Sequence, residues 1–163
     1  MYVSFIIGTA GSGKSLLTSA YAEWLQGKKE YAITVNLDPG AITLPYNPDV
    51  DVRNYIKIDD LMEKYGLGPN GALVMAADLI ATEISKIREE IEALTPDYVL
   101  VDTPGQMELF AFRESGPYIV SELTEDPRAT LYLVDASFSS KPLNYISNIC
   151  LLYTSPSPRD RTR

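Results

Sequence analysis

Histidine is missing altogether from this chain, and cysteine is reduced to Cys150. The first absence removes imidazole as a general base, a triad member and a zinc ligand. The second removes any internal disulfide and any thiolate zinc cluster, which fits a reducing compartment, with the cytoplasm as the default. Positive charge is scarce as well: 14 Lys and Arg stand against 22 Asp and Glu, a net charge of −8. Nucleic-acid binding needs cations that replace counterions on phosphate. No direct nucleic-acid partner is therefore expected, and any phosphate site must be local and built from backbone amides. No run approaches the ~18 apolar residues of a membrane span. The N-terminus enters a glycine-rich loop without a basic leader or cleavage site, so a soluble protein with no membrane partner is expected.

What is present is an apolar content of 45% in 163 residues, enough for one cored domain. Residues 2–7 are almost continuously apolar, as in a strand covered on both faces of a parallel sheet. From Lys14 to about Leu25, the residues Leu16, Leu17, Ala20, Tyr21 and Trp24 recur at helical spacing, and Gly27 supplies a stop. Residues 32–37 read as a second strand with Asp38 at its carboxyl end. Pro39, Gly40, Pro45 and Pro48 then predict an extended segment over 38–58, with a short helix only around 59–65. Loops of that length in compact domains usually serve function.

Asn70 is placed to cap a long helix in which Leu73, Ala77, Ile80, Ile84, Ile87, Ile91 and Leu94 alternate steps of four and three. That seam serves either the face of the sheet or a partner chain, with core packing favoured. Lys86 with Glu90 and Arg88 with Glu92 stand one turn apart as minor surface pairs. Residues 98–101 and 129–134 complete four strands, ending at Asp102 and Asp135. Carboxylates at strand ends are where open α/β sheets bind ligands.

The loop Gly8-Thr9-Ala10-Gly11-Ser12-Gly13-Lys14-Ser15 lies between the first strand and the first helix and matches the Walker A pattern. Its glycines let amides point at phosphate oxygens beside a helix N-terminus. The predicted cofactor-binding set is Gly11, Ser12, Gly13, Lys14, Ser15 and Leu16, with Lys14 reaching the β- and γ-phosphates. Ser15 is predicted to place its hydroxyl on Mg²⁺. In Asp102-Thr103-Pro104-Gly105-Gln106, Asp102 is the second metal residue and Gly105 offers an amide to the γ-phosphate. Gln106 and Glu108 lie where a hydrolytic water is held, and Asp38 is a further water-orienting carboxylate that serves equally well as a turn residue.

Together with Asn36-Leu37-Asp38-Pro39 and Gly68-Pro69-Asn70, these motifs make residues 1 to about 149 resemble the GPN-loop GTPases in their archaeal form. The resemblance implies an α/β fold of the P-loop NTPase type, a mainly parallel sheet with helices on both faces and its C-terminal strands missing. It implies Mg²⁺-dependent GTP hydrolysis by a homodimer in which Asn70 acts on the partner's phosphates and Asp38, Gln106 and Glu108 arrange the attacking water. It further implies a regulatory or assembly role, with RNA polymerase among the clients. No Asn/Thr-Lys-x-Asp sequence follows the fourth strand, so guanine comes from the resemblance alone.

Residues 150–163 turn to Ser, Pro and Arg without an apolar pattern and resemble a translated sequencing-library adapter. They are expected to be a non-native or disordered tail on a partial GTPase domain of residues 1–149, leaving a sheet edge uncovered. Two other readings stay open. Dimeric ATPases of the Min or nitrogenase-iron-protein kind share the sheet, but usually carry a lysine early in the loop where this chain has Thr9. A nucleotide-dependent binding module would hydrolyse little. A small-molecule kinase would need a basic lid, which Arg53, Arg88 and Arg113 do not form.

Overall fold

The computed structural model describes residues 1–106, 115–125 and 127–154, except for the side chains of 151–154. Five parallel strands form one sheet in the order β3-β2-β4-β1-β5. They are β1 (Tyr2–Gly8), β2 (Ala32–Asn36), β3 (Val50–Asp51), β4 (Tyr98–Asp102) and β5 (Arg128–Leu133). The helices are α1 (Lys14–Gly27), α2 (Ile58–Tyr65), α3 (Pro69–Leu94), α4 (Ser115–Leu123) and α5 (Pro142–Thr154), the last continuing past residue 150.

Strand periodicity sorts side chains between the two faces. Val3, Phe5 and Ile7 of β1, with Val99 and Val101 of β4, pack against α3 and α4. Ile6 and Leu100 point the other way, towards Ala22 and Leu25 of α1. The α3 seam is core: Ala77, Ile80, Ile84, Ile87 and Ile91 are buried, with Ala72 and Ala76 beside them. Each fully buried isoleucine contributes roughly 1.5–3 kcal/mol of transfer free energy, so this face outweighs the ion pairs on the opposite one.

Several local expectations are corrected. The segment 38–58 contains the short strand β3 and a 3₁₀ turn at Val52–Asn54. The N-cap of α3 is Gly68 with Pro69 at the first helical position, so Asn70 lies inside the first turn. Proline's fixed φ and missing N–H suit that position better than a side-chain cap would. In α1 the buried stripe is Lys14, Thr18, Ala22 and Leu25, while Leu16 and Trp24 are exposed. The Thr18 hydroxyl donates to the Lys14 carbonyl at 3.0 Å, which lets a polar residue lie on the inner face. Trp24 finds its cover in Tyr21 and the Lys28 ammonium instead. The chain turns left-handed at Lys29 (φ 65°) and not at Gly27. Arg88 pairs with Glu92 as expected, but Lys86 takes Glu83 at 2.6 Å.

Candidate nucleotide site

The loop after β1 owes its shape to glycine. A Cβ on Gly8 would lie 2.6 Å from the Leu133 carbonyl oxygen and 2.7 Å from Ser12 Oγ, so no side chain fits where the chain turns beside β5. Gly13, with φ 94° and ψ 18°, is the N-cap of α1 and provides no side-chain cap. Helical bonding begins only when the Leu17 N–H donates to the Gly13 carbonyl at 2.9 Å. The amides of Gly13, Lys14, Ser15 and Leu16 therefore have no acceptor within the helix, and they sit at its positive end. An anion is the natural partner for such an array. Leu16 contributes through its backbone, since its side chain is 66% exposed.

Lys14 is buried, and its Nζ donates to the Thr9 carbonyl at 3.0 Å. Burial lowers its pKa, while Asp102 and Asp38 pull it back up. The structure thus brings these loop residues together, with the Lys14 ammonium folded back over the loop.

The parallel register aligns Ile6, Asn36 and Asp102, so β2 and β4 end at one level while β1 runs on to Gly8 and into the glycine loop. The Leu37 N–H extends the ladder by donating to the Asp102 carbonyl at 2.9 Å, which brings Asp38 alongside. Thr103 Oγ1 donates to the Ile6 carbonyl at 2.8 Å and anchors the other side. Asp102 is 1% exposed. Its Oδ2 accepts from the Tyr46 hydroxyl at 3.0 Å, whereas Oδ1 is buried without a donor. Burial raises the Asp102 pKa; the Ser15 and Tyr46 hydroxyls and Lys14 act in the opposite direction.

A buried carboxylate oxygen with no donor is costly unless a ligand satisfies it. Among the described residues, no cluster of three His, Cys, Asp or Glu could hold a metal by itself. The donor set present, one hydroxyl and one carboxylate beside an anion cradle, suits Mg²⁺ that takes its remaining ligands from phosphate and water.

Asp38 is held on three sides. Its N–H donates to Asn36 Oδ1 at 2.9 Å, its Oδ1 accepts from the Gly40 N–H at 2.9 Å, and its Oδ2 accepts from the Gly105 N–H at 3.3 Å. A Cβ on Gly105 would meet Ala10 at 3.3 Å, so the loop after β4 lies against the Walker loop. Asp38, Gly105 and Gln106 line one cavity of about 220 Å³ with Ala10, closed on its apolar side by Leu73 and Ile80 of α3. Asn70 is exposed and does not line that cavity. Glu108 lies outside the described residues.

The structure adds roles that the motifs did not assign. Asn36, fully buried, donates from Nδ2 to Asp51 Oδ1 at 2.9 Å and to the Asp38 carbonyl at 3.2 Å. Arg53 grips Asp51 in a bidentate pair and reaches the Ala41 carbonyl at 2.9 Å. Burial works against the Asp51 charge, but hydrogen bonds from Arg53 and Asn36 outweigh it and hold the pKa below the usual range. Tyr46 reaches Asp102 across 56 positions of sequence. Asn36 had a visible signal, a polar residue ending a strand just before Asp38; Tyr46 had none.

Fold and site together define a P-loop nucleotide-binding domain. Comparison with known proteins sharpens this. A family profile described as "Conserved hypothetical ATP binding protein" matches residues 6–157. The GPN-loop GTPase PAB0955 of Pyrococcus abyssi is 40% identical over 147 residues, covering 89% of this chain and 57% of that protein. The GPN-loop GTPase QQT2 of Arabidopsis thaliana is 36% identical, covering 88% and 39%. The crystal structure of PAB0955, titled a GTPase in apo form, superposes with a TM-score of 0.76 at 36% identity, covering 95% of this chain and 64% of that one. The chain belongs to the GPN-loop GTPase family. It spans roughly two-fifths to three-fifths of the length of these curated relatives.

Proposed function

We propose that the protein binds GTP with Mg²⁺ in the cytoplasm and hydrolyses its β–γ phosphoanhydride as a homodimer, in a regulatory or assembly role. The observation that carries this reading is the buried Asp102 Oδ1 without a donor beside Walker-loop amides that have no acceptor within the helix. The amides of residues 13–16 and the Lys14 ammonium hold the phosphate tail, which restrains the γ-phosphate for in-line attack. Ser15 and Asp102 would hold the metal, which would supply charge neutralisation to the phosphate tail. The Gly105 amide, which Asp38 Oδ2 accepts at 3.3 Å, turns to the γ-phosphate when nucleotide binds and so frees Asp38, which with Gln106 on the same cavity orients the water, with Glu108 as a third member. Water attacks phosphorus, the bond to the β-bridging oxygen breaks, and GDP and phosphate leave.

Asn70 is exposed on the first turn of α3, as a residue acting on a partner's phosphates must be. An assembly role on complexes such as RNA polymerase rests on the family resemblance. Guanine rests on the names of the relatives, since the family profile is described by ATP.

The test compares nucleotides and chain concentrations. In Mg²⁺ buffer, GTP should raise Tm more than ATP, and phosphate release per chain should climb with protein concentration. Asn70→Ala should lower release roughly a hundredfold, the usual loss when one charge-stabilising donor is removed. Equal stabilisation by ATP overturns the guanine assignment. Unchanged release in Asn70→Ala overturns action in trans, and nucleotide-dependent pairing without phosphate release favours a binding module.

A further inference from the structure

We infer that Tyr46 is a positioning residue for the metal-holding carboxylate, linking the 39–49 loop to metal occupancy through Asp102. This rests on the metal role assigned to Asp102 above. The phenol donates to Asp102 Oδ2 at 3.0 Å, and Oδ1 is the oxygen left without a donor. One oxygen is thus tied and the other is available, which fixes the rotation of the carboxylate. Outer partners of this kind orient a metal-holding group and set its affinity.

The loop that carries Tyr46 is framed, so the contact is aimed. At its start Asn36 fixes Asp38. At its end Asp49 Oδ2 accepts from the Thr34 N–H at 2.7 Å, and the Asp49 N–H donates to the Thr34 carbonyl at 2.9 Å. Between them Arg53 holds the Ala41 carbonyl, and the Ser19 hydroxyl on α1 reaches the Pro45 carbonyl at 3.4 Å. A phenol also suits the task chemically. It satisfies Oδ2 without introducing a cation that would compete with the metal for the same carboxylate.

Tyr46→Phe removes the hydroxyl and keeps the ring. The readout is the Mg²⁺ concentration giving half of the GTP-dependent rise in Tm, measured alongside GTP affinity in EDTA. The expected result is a ten- to hundredfold increase in the Mg²⁺ required, about the cost of losing an outer partner of a metal ligand, with affinity in EDTA unchanged within about twofold. Tyr46→Leu, which also removes the ring, should lower the nucleotide-free Tm, whereas Tyr46→Phe should barely move it. A Mg²⁺ titration of Tyr46→Phe that overlays the wild type overturns the inference. So does an equal loss of affinity in Mg²⁺ and in EDTA, which would make the phenol a part of the phosphate cradle or of the fold. A wild-type chain whose GTP-dependent stabilisation ignores Mg²⁺ would sink the metal reading itself, and this inference with it.

Discussion

The turn from β1 into α1 and the segment between β2 and α2 flank the same site but are held by opposite means. At the first, backbone does nearly everything: glycine dihedrals set the curve, amides without a helical acceptor gather at the helix start, and Lys14 is the principal charged side chain. At the second, side chains do the holding. Asn36, Asp51, Arg53 and Tyr46 build a polar lattice that fixes Asp38 and Asp102. A backbone-built cradle can lose a side chain and keep its shape. A lattice of buried polar groups loses stability as soon as one member leaves its partners unsatisfied.

The sharpest break in this comparison should come from Lys14→Ala. Nucleotide-dependent thermal stabilisation in Mg²⁺ should vanish, an affinity loss of roughly a hundredfold or more for removing one side of a desolvated charge contact. The nucleotide-free unfolding midpoint should remain near wild type. A retained GTP shift would mean that the loop does not hold phosphate in this way.

Asn36→Ala should show the converse pattern. Three hydrogen bonds to or from one fully buried amide disappear, so urea titration should report about 2–3 kcal/mol less unfolding free energy. Phosphate binding should persist while turnover falls, because Asp38 is released. A wild-type urea midpoint would show that the lattice is decorative.

The smallest effect on the nucleotide-free chain should come from Asp102→Asn, and its sign is informative. Burial raises the folded-state pKa above the unfolded value of 3.8. The folded chain therefore binds this proton more readily, and stability declines as pH rises from the unfolded pKa through the folded one. The amide cannot ionise. It should flatten that part of the Tm–pH curve and slightly raise the nucleotide-free Tm at pH 7, while removing the Mg²⁺-dependent gain. A lower Tm at pH 7 would show that the carboxylate stabilises the free chain.

The two regions also differed in what could be read from the residues. The Walker loop was legible because it is contiguous: strand, glycines, lysine and helix follow each other within eight positions, and local geometry decides the outcome. The four longer strands followed from apolar runs, and the α3 seam from its steps of four and three. The stripe on α1 was misjudged because the loop, not hydrophobicity, sets which way the helix faces: Lys14 must turn inward, and Thr18 goes with it. The short strand β3 escaped because two residues carry no period, and it exists through pairing with Val35 and Asn36. Tyr46 escaped because nothing local distinguishes it. Its partner is brought beside it only when β4 slots in next to β2.

Strand order decides how the site comes apart. The strand that delivers the glycine loop is paired on both sides, by β4 and by β5. Its central amides should therefore exchange with solvent only through complete unfolding, so the phosphate cradle cannot fray while the rest of the domain survives. Whatever breathing admits and releases nucleotide falls to the opposite wall, where the segment from Pro39 to Pro48 can open while Asp49 stays bonded to Thr34 and the ladder around β1 stays whole.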